Sequence, residues 1–191
     1  MLNHYTSLKH SMLNQGVKLK LDADGSGVSK HSPATEVMTD LRHAAAYTIS
    51  PAISITEAER KMVLCAVRLL FVTNSEDELL GLITATDILG ERPLSYLREH
   101  GGSRDDILVQ EIMTAKEGIE VINYPDVVRA SIGDIVATFH AVGRQHVLVA
   151  EHERIRGLFS ATEISRRLGE TLDMDIRAKT FAELEAALVA H

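Results

Sequence analysis

Tryptophan is absent from this 191-residue chain, cysteine occurs once, at Cys65, and the aromatic share is 4%. Each shortage excludes something. A single cysteine permits neither a disulfide within one chain nor a cysteine-ligated zinc site. So few rings leave little against which nucleic-acid bases would stack. Basic residues are also in the minority: 20 Lys and Arg stand against 27 Asp and Glu, a formal net charge of −7. Attraction to a phosphate backbone needs a concentrated basic surface, so nucleic acid is not an expected partner. No apolar run approaches the ~18 residues that span a bilayer. Residues 1–16 lack the apolar stretch of a signal peptide. The expectation is a cytoplasmic protein with no membrane partner.

Catalytic and metal signatures are missing as well. The sequence holds no Gly-x-x-x-x-Gly-Lys phosphate loop, no Gly-x-Gly-x-x-Gly fingerprint and no Gly-x-Ser-x-Gly nucleophile elbow. His140, His146 and His152 recur every six residues, which suits neither one helix face nor one strand as a metal-ligand pattern. Asp22 to Gly27 resembles the start of an EF-hand loop, but the twelfth position falls on Pro33, where a bidentate carboxylate is required. No catalytic residue, metal ligand or required cofactor is assigned.

What is present is an ordinary globular composition, 45% hydrophobic and 25% charged, arranged as an internal repeat. Glu36-Val37-Met38-Thr39 returns 75 residues later as Glu111-Ile112-Met113-Thr114. Ser54-Ile55-Thr56-Glu57 returns after 77 residues as Ser131-Ile132-Gly133-Asp134. Both are Ser-x-x-acid capping boxes, which satisfy free amides at a helix start. Ala58, Met62, Cys65 and Leu69 then share the spacing of Ile135, Phe139, Val142 and His146, read as one buried helical stripe. On that stripe Cys65 is inert packing and His146 a satisfied core histidine. Short apolar runs follow at Leu70-Phe71-Val72 and Val147-Leu148-Val149, then a charged turn and a second strand from Gly81 or Gly157. Each unit closes by passing from strand to helix through Thr84-Ala85-Thr86-Asp87-Ile88 or Ser160-Ala161-Thr162-Glu163-Ile164.

The expected organisation is a polar arm (1–31), a first unit (32–90), a linker with a short helix near Leu94–Glu99 (91–107), a second unit (108–168) and a helical C-terminal segment (169–191). In that last segment Phe181, Leu184 and Leu188 form a stripe. Arg68, Arg144, Arg154 and Arg156 could meet phosphates, but they are read as solvated surface arginines and none is assigned as a ligand.

In this order and duplicated, the motifs resemble a tandem pair of CBS domains over about residues 34–168. Val37-Met38-Thr39 and Ile112-Met113-Thr114 are similar to the family's opening. Thr48-Ile49-Ser50-Pro51 followed by Ile53-Ser54-Ile55 resembles its first strand and helix start. Gly81 to Leu89 is similar to its Gly-h-h-Thr-x-x-Asp-h-h signature, where h is apolar. The resemblance implies an α/β (α+β) fold of two β-α-β-β-α units packed about a pseudo-twofold axis. It implies a regulatory, energy-sensing module rather than an enzyme. The ligand would be an adenosine-containing nucleotide (AMP, ADP, ATP or S-adenosylmethionine) held between the units. It also implies a stand-alone pair that forms a homodimer and acts on a regulated protein the sequence does not name.

The implied ligand residues are Thr84 and Asp87 in the first copy and Ser160 and Glu163 in the second, with Ile49 and Phe71 flanking an adenine. Their chemistry fits. A hydroxyl at a helix start stands beside free amides that favour phosphate, and an ionised Asp accepts from two ribose hydroxyls. The same Thr-x-x-Asp is also a plain capping box, and Glu163 is long enough to cap its own helix. The middle strands lack the family's proline, and Phe71 is bulky. These departures support a second reading, a dimerisation or scaffold module with degenerate pockets.

Overall fold

The computed structural model describes residues 27–172 together with Met12, Gln15 and Gly16. The EF-hand-like run up to Ser26, most of the expected N-terminal arm and the Phe181, Leu184 and Leu188 stripe lie outside the described residues.

The first repeat runs β1 (Thr39–Asp40), β2 (Thr48–Ile49), α1 (Ile55–Cys65), β3 (Leu69–Thr73), β4 (Leu79–Thr84) and α2 (Ala85–Leu89). A connecting helix α3 (Arg92–His100) follows. The second repeat runs α4 (Val109–Ile112), β5 (Thr114–Ala115), β6 (Val121–Asn123), α5 (Tyr124–Arg129), α6 (Ile132–Val142), β7 (His146–Glu151), β8 (Arg154–Ser160) and α7 (Ala161–Leu168).

Two four-stranded sheets result, ordered β2-β3-β4-β5 and β1-β8-β7-β6. The opening strand of each repeat is therefore exchanged. β1 pairs antiparallel with β8 of the second repeat, and β5 pairs antiparallel with β4 of the first. The residues leading into each exchanged strand travel with it. Ala34 and Val37 pack in the core of the second repeat, whereas Ile107, Val109 and Ile112 pack in that of the first. Each repeat thus completes its partner's core, and neither closes alone.

Two glycines permit the exchange. A Cβ on Gly81 would collide with the Thr114 carbonyl oxygen, and one on Gly157 would stand 2.6 Å from that of Thr39. A side chain at either position would push the incoming strand away. Arg156 holds the β1–β8 pair from the side. It is 4% exposed, ion-paired with Asp40 on β1 and with Glu151 (3.1 Å), and it lies over the Tyr124 ring at 4.7 Å. The guanidinium of Arg156 holds the Asp40 carboxyl well below the usual carboxylate range. The expectation that Arg156 is solvated is corrected: pairing and ring contact compensate its desolvation.

The helix starts follow their caps. Ser54 Oγ accepts from Glu57 N (3.3 Å), and Ser131 and Asp134 form a reciprocal capping box. The helix ends differ from the sequence expectation. α1 stops at Cys65 and α6 at Val142, because Ala66 and Gly143 adopt left-handed conformations (φ 53° and 67°) that cap the last carbonyls. Leu69 and His146 consequently open strands β3 and β7 instead of extending the helical stripe. Cys65 is only half-buried.

Alternation along β3 then sorts the side chains. Leu70 and Val72 face the helices, whereas Leu69 and Phe71 join Leu82 and Leu148 in a third cluster between the sheets.

Candidate functional site

Where the sheets meet, the repeat symmetry makes two cavities from corresponding residues. One is bordered by Leu69, Thr84, Asp87, Thr114 and the segment Gly143 to His146. The other is bordered by the matching set, His146, Ser160, Glu163, Thr39 and the segment Ala66 to Leu69. They are equivalent by topology and different in substance.

The first cavity is small, about 160 Å³. Its polar groups are engaged with one another. Thr84 ends β4 and caps α2, and its amide and Oγ1 both donate to Asp87 Oδ2 (2.8 and 2.7 Å). Asp87 N donates back to Thr84 Oγ1 (3.2 Å), and Arg92 Nη1 stands 3.1 Å from Asp87 Oδ1. Thr86 Oγ1 donates to Gln145 Oε1 (3.3 Å), while Arg144 donates to Thr114 Oγ1 (3.4 Å) and to the Gly118 carbonyl (3.2 Å). Arg144 is thereby a wall residue of this cavity.

The second cavity is about 440 Å³, within the range of ligand-holding clefts. Ser160 ends β8 and stands at the start of α7, yet its side chain makes no capping hydrogen bond. Glu163 does not cap either. Arg166, one turn along α7, donates to both carboxylate oxygens (3.0 and 2.6 Å) and holds the Glu163 carboxyl below its ordinary range. The added methylene places that carboxylate within the fork of an i+3 guanidinium, a bidentate geometry that competes with the cap. The result is a helix start with no side-chain cap, a hydroxyl left over and a carboxylate held ionised, all at the edge of the wider cleft.

Among the remaining predicted residues, Phe71 borders the second cavity, beside Ser160 and Glu163. The structure therefore divides the predicted set, with Thr84 and Asp87 in one cavity and Phe71, Ser160 and Glu163 in the other. It brings Ile49 to neither. The parallel register sets Thr48 opposite Phe71 and Ile49 opposite Val72, so Ile49 packs in the helix-side core.

Tyr47, Arg68 and His146 also border the second cavity; sequence reasoning passes over Tyr47 and His146 as site residues and reads Arg68, an arginine able to meet phosphate, as solvated. Tyr47 precedes β2, in a stretch without periodic signal. Arg68 lies between α1 and β3, and no described side chain pairs with it. His146 borders both cavities. Its Nδ1 is buried without a hydrogen-bond partner, so the expectation of a satisfied core histidine is corrected. Burial, reinforced by the charge of Arg68 and opposed by Asp87, lowers the imidazole pKa to about 4.

Residues 34–93 match the family model of the CBS domain. The first repeat is a CBS domain. The fold of the whole pair recurs in solved structures. An uncharacterized conserved protein from Pyrococcus horikoshii is 24% identical, with a TM-score of 0.55 over 73% of this chain and 93% of that one. A CBS-domain-containing protein from Agrobacterium tumefaciens is 21% identical, with a TM-score of 0.51 over 65% of this chain and 90% of that one. No curated protein matches the sequence. The two cavities therefore lie between the halves of a CBS-pair fold. Among the described residues, no helix is long and apolar enough to cross a membrane, and no group of His, Cys, Asp and Glu has the arrangement of a metal site.

Proposed function

We propose that this CBS pair is a non-catalytic regulatory module that takes an adenosine-containing nucleotide (AMP, ADP, ATP or S-adenosylmethionine) in the cavity of the second repeat. The observation that carries this reading is the contrast between the two helix starts. Thr84 and Asp87 are consumed by their own capping box in a cleft of about 160 Å³. Ser160 and Glu163 stand uncapped at one of about 440 Å³. An ionised Glu163 accepts from ribose hydroxyls. The Ser160 hydroxyl, the uncapped start of α7 and Arg68 offer donors to a phosphate or sulfonium-linked tail. Phe71 and Tyr47 supply apolar wall for the base. Because the cavity is built from both repeats, its ligand favours one arrangement of the halves over another, and only that difference in affinity drives a signal. The signal passes to a regulated protein in the cytoplasm, through the angle between repeats or through a homodimer.

A second reading, a dimerisation or scaffold module with degenerate pockets, is favoured by the closed state of the first cavity. Calorimetric titration with AMP, ADP, ATP and S-adenosylmethionine separates the two. Saturable binding weakened about ten- to a hundredfold by Glu163→Ala, and far less by Asp87→Ala, supports the nucleotide module. A folded protein that binds none of the four up to millimolar concentration leaves the scaffold reading.

A further inference from the structure

The seam between the cavities is formed by two corresponding residues, Leu69 in the first repeat and His146 in the second, and each borders both clefts. Leu69 is an ordinary buried contact, 6% exposed. His146 is not. An imidazole takes the place where the symmetry-related position has an aliphatic chain, and its Nδ1 is shut off from solvent with no partner. Buried polar atoms without partners are uncommon in folded proteins and call for an explanation. Nε2 also makes no hydrogen bond to a described group. A sealed N–H is costlier than a sealed lone pair, so the proton of the neutral ring resides on Nε2. The charge state follows from the surroundings. Burial and Arg68 oppose protonation, with Asp87 the opposing carboxylate, so the ring is neutral near pH 7.

Register fixes what lies beside it. His146 is paired with Ser160 across β7 and β8, and cross-strand partners share a face. The ring and the uncapped Ser160 hydroxyl thus flank the same corner of the larger cavity, where α7 begins. We infer that His146 is a specificity-determining ligand contact, whose Nε2–H donates, together with the Ser160 hydroxyl, to an oxygen of the sugar–phosphate part of the nucleotide in the second cavity. This rests on the nucleotide reading above, and it adds a residue that neither the strand-to-helix motif nor the repeat pattern marks, since the repeat counterpart is leucine.

The test uses the full chain with three side chains at one position. His146→Leu copies Leu69, so it suits the wall while removing the donor. His146→Gln keeps an N–H in place of Nε2. With AMP, ADP, ATP and S-adenosylmethionine as titrants, His146→Leu weakens binding about tenfold or more while thermal stability at pH 7.5 is kept or raised, because an unpartnered buried polar atom is removed. His146→Gln recovers most of the affinity. In the wild type, the imidazole nitrogen resonances of His146 shift on saturation with the nucleotide. Unchanged affinity in His146→Leu, or silent imidazole resonances while cavity amides respond, overturns the inference and leaves the nucleotide reading standing. Failure of the wild type to bind any of the four removes both.

Discussion

Acidification isolates His146 more cleanly than any other perturbation. In the folded chain its pKa is lowered to about 4 from the ordinary 6.5. Between those values the unfolded chain binds a proton that the folded chain refuses, so stability falls as pH drops from about 6.5 toward 4. A tenfold change in a protonation equilibrium is worth about 1.4 kcal/mol. Integrated from pH 7.5 to pH 5, the loss is about 2 kcal/mol, a large share of the roughly 5–15 kcal/mol typical of a domain. Burial of the ring fixes the direction, and the charges around it adjust the size of the effect. Arg68, just before β3, disfavours protonation and Asp87 on α2 favours it, while Arg144 before β7 and Glu163 on α7 border the two cavities that the ring shares. Asp106 and Asp134 have their carboxyls lowered by hydrogen bonds from Ser103 and Ser131, so their contributions are lost at lower pH. The assay is urea unfolding at pH 7.5, 6 and 5 on the wild type and His146→Leu, which share every other titrating group. The gap between the curves widens by about 2 kcal/mol toward pH 5, with the variant the more stable. Parallel curves would refute the argument, since they would mean that the ring reaches solvent or a proton acceptor in the folded state.

Three further outcomes follow from the packing. Asp87→Ala, which dismantles the α2 capping box, costs about 1–2 kcal/mol in denaturant unfolding; Glu163→Ala, which loses only an exposed pair with Arg166, costs under about 0.5 kcal/mol. Equal losses would mean that the two helix starts are capped alike. Gly157→Ala lowers stability by about 1–3 kcal/mol, because its Cβ meets the Thr39 carbonyl of the exchanged strand; a neutral result would show that β1 does not approach β8 this closely. Arg156→Ala lowers the melting temperature well beyond Arg166→Ala, since it abandons Asp40 beside a buried position. Comparable shifts would place Arg156 among ordinary surface arginines.

Much of the fold was legible because repetition makes weak signals corroborate one another. Ser54 and Ser131 announced the two long helices through their caps, and both form where the motif stands. The apolar run from Leu70 to Val72 implied a buried strand; the second strands begin at Leu79 and Arg154, ahead of Gly81 and Gly157, which lie inside them where the backbones approach closely. Less was legible where a backbone conformation decides. In the first repeat Ala66 takes a left-handed cap that alanine does not advertise; in the second the cap is Gly143, a stop signal that the continuing apolar spacing masks, so in both repeats the helical spacing runs one turn past the true helix end. Leu69 and His146 fit that helical spacing yet stand at strand starts.

The candidate site shows the division most clearly. Sequence alone determined the duplicated frame and the strand-to-helix junctions at Thr84-x-x-Asp87 and Ser160-x-x-Glu163, because caps and periodicities are written over a few neighbouring residues. Tertiary structure alone decided which junction stays open. Motif logic favours the intact Thr84 and Asp87, yet there the groups satisfy each other across one helical turn. The weaker-looking copy is left uncapped because Arg166 draws Glu163 away. The exchange of β1 and β5, the diversion of Ile49 into the core and the arrival of Tyr47, Arg68 and His146 at one cleft depend on strand register and on contacts between residues far apart in the chain. A local pattern encodes the propensity of a segment; it does not encode which distant segment will lie against it.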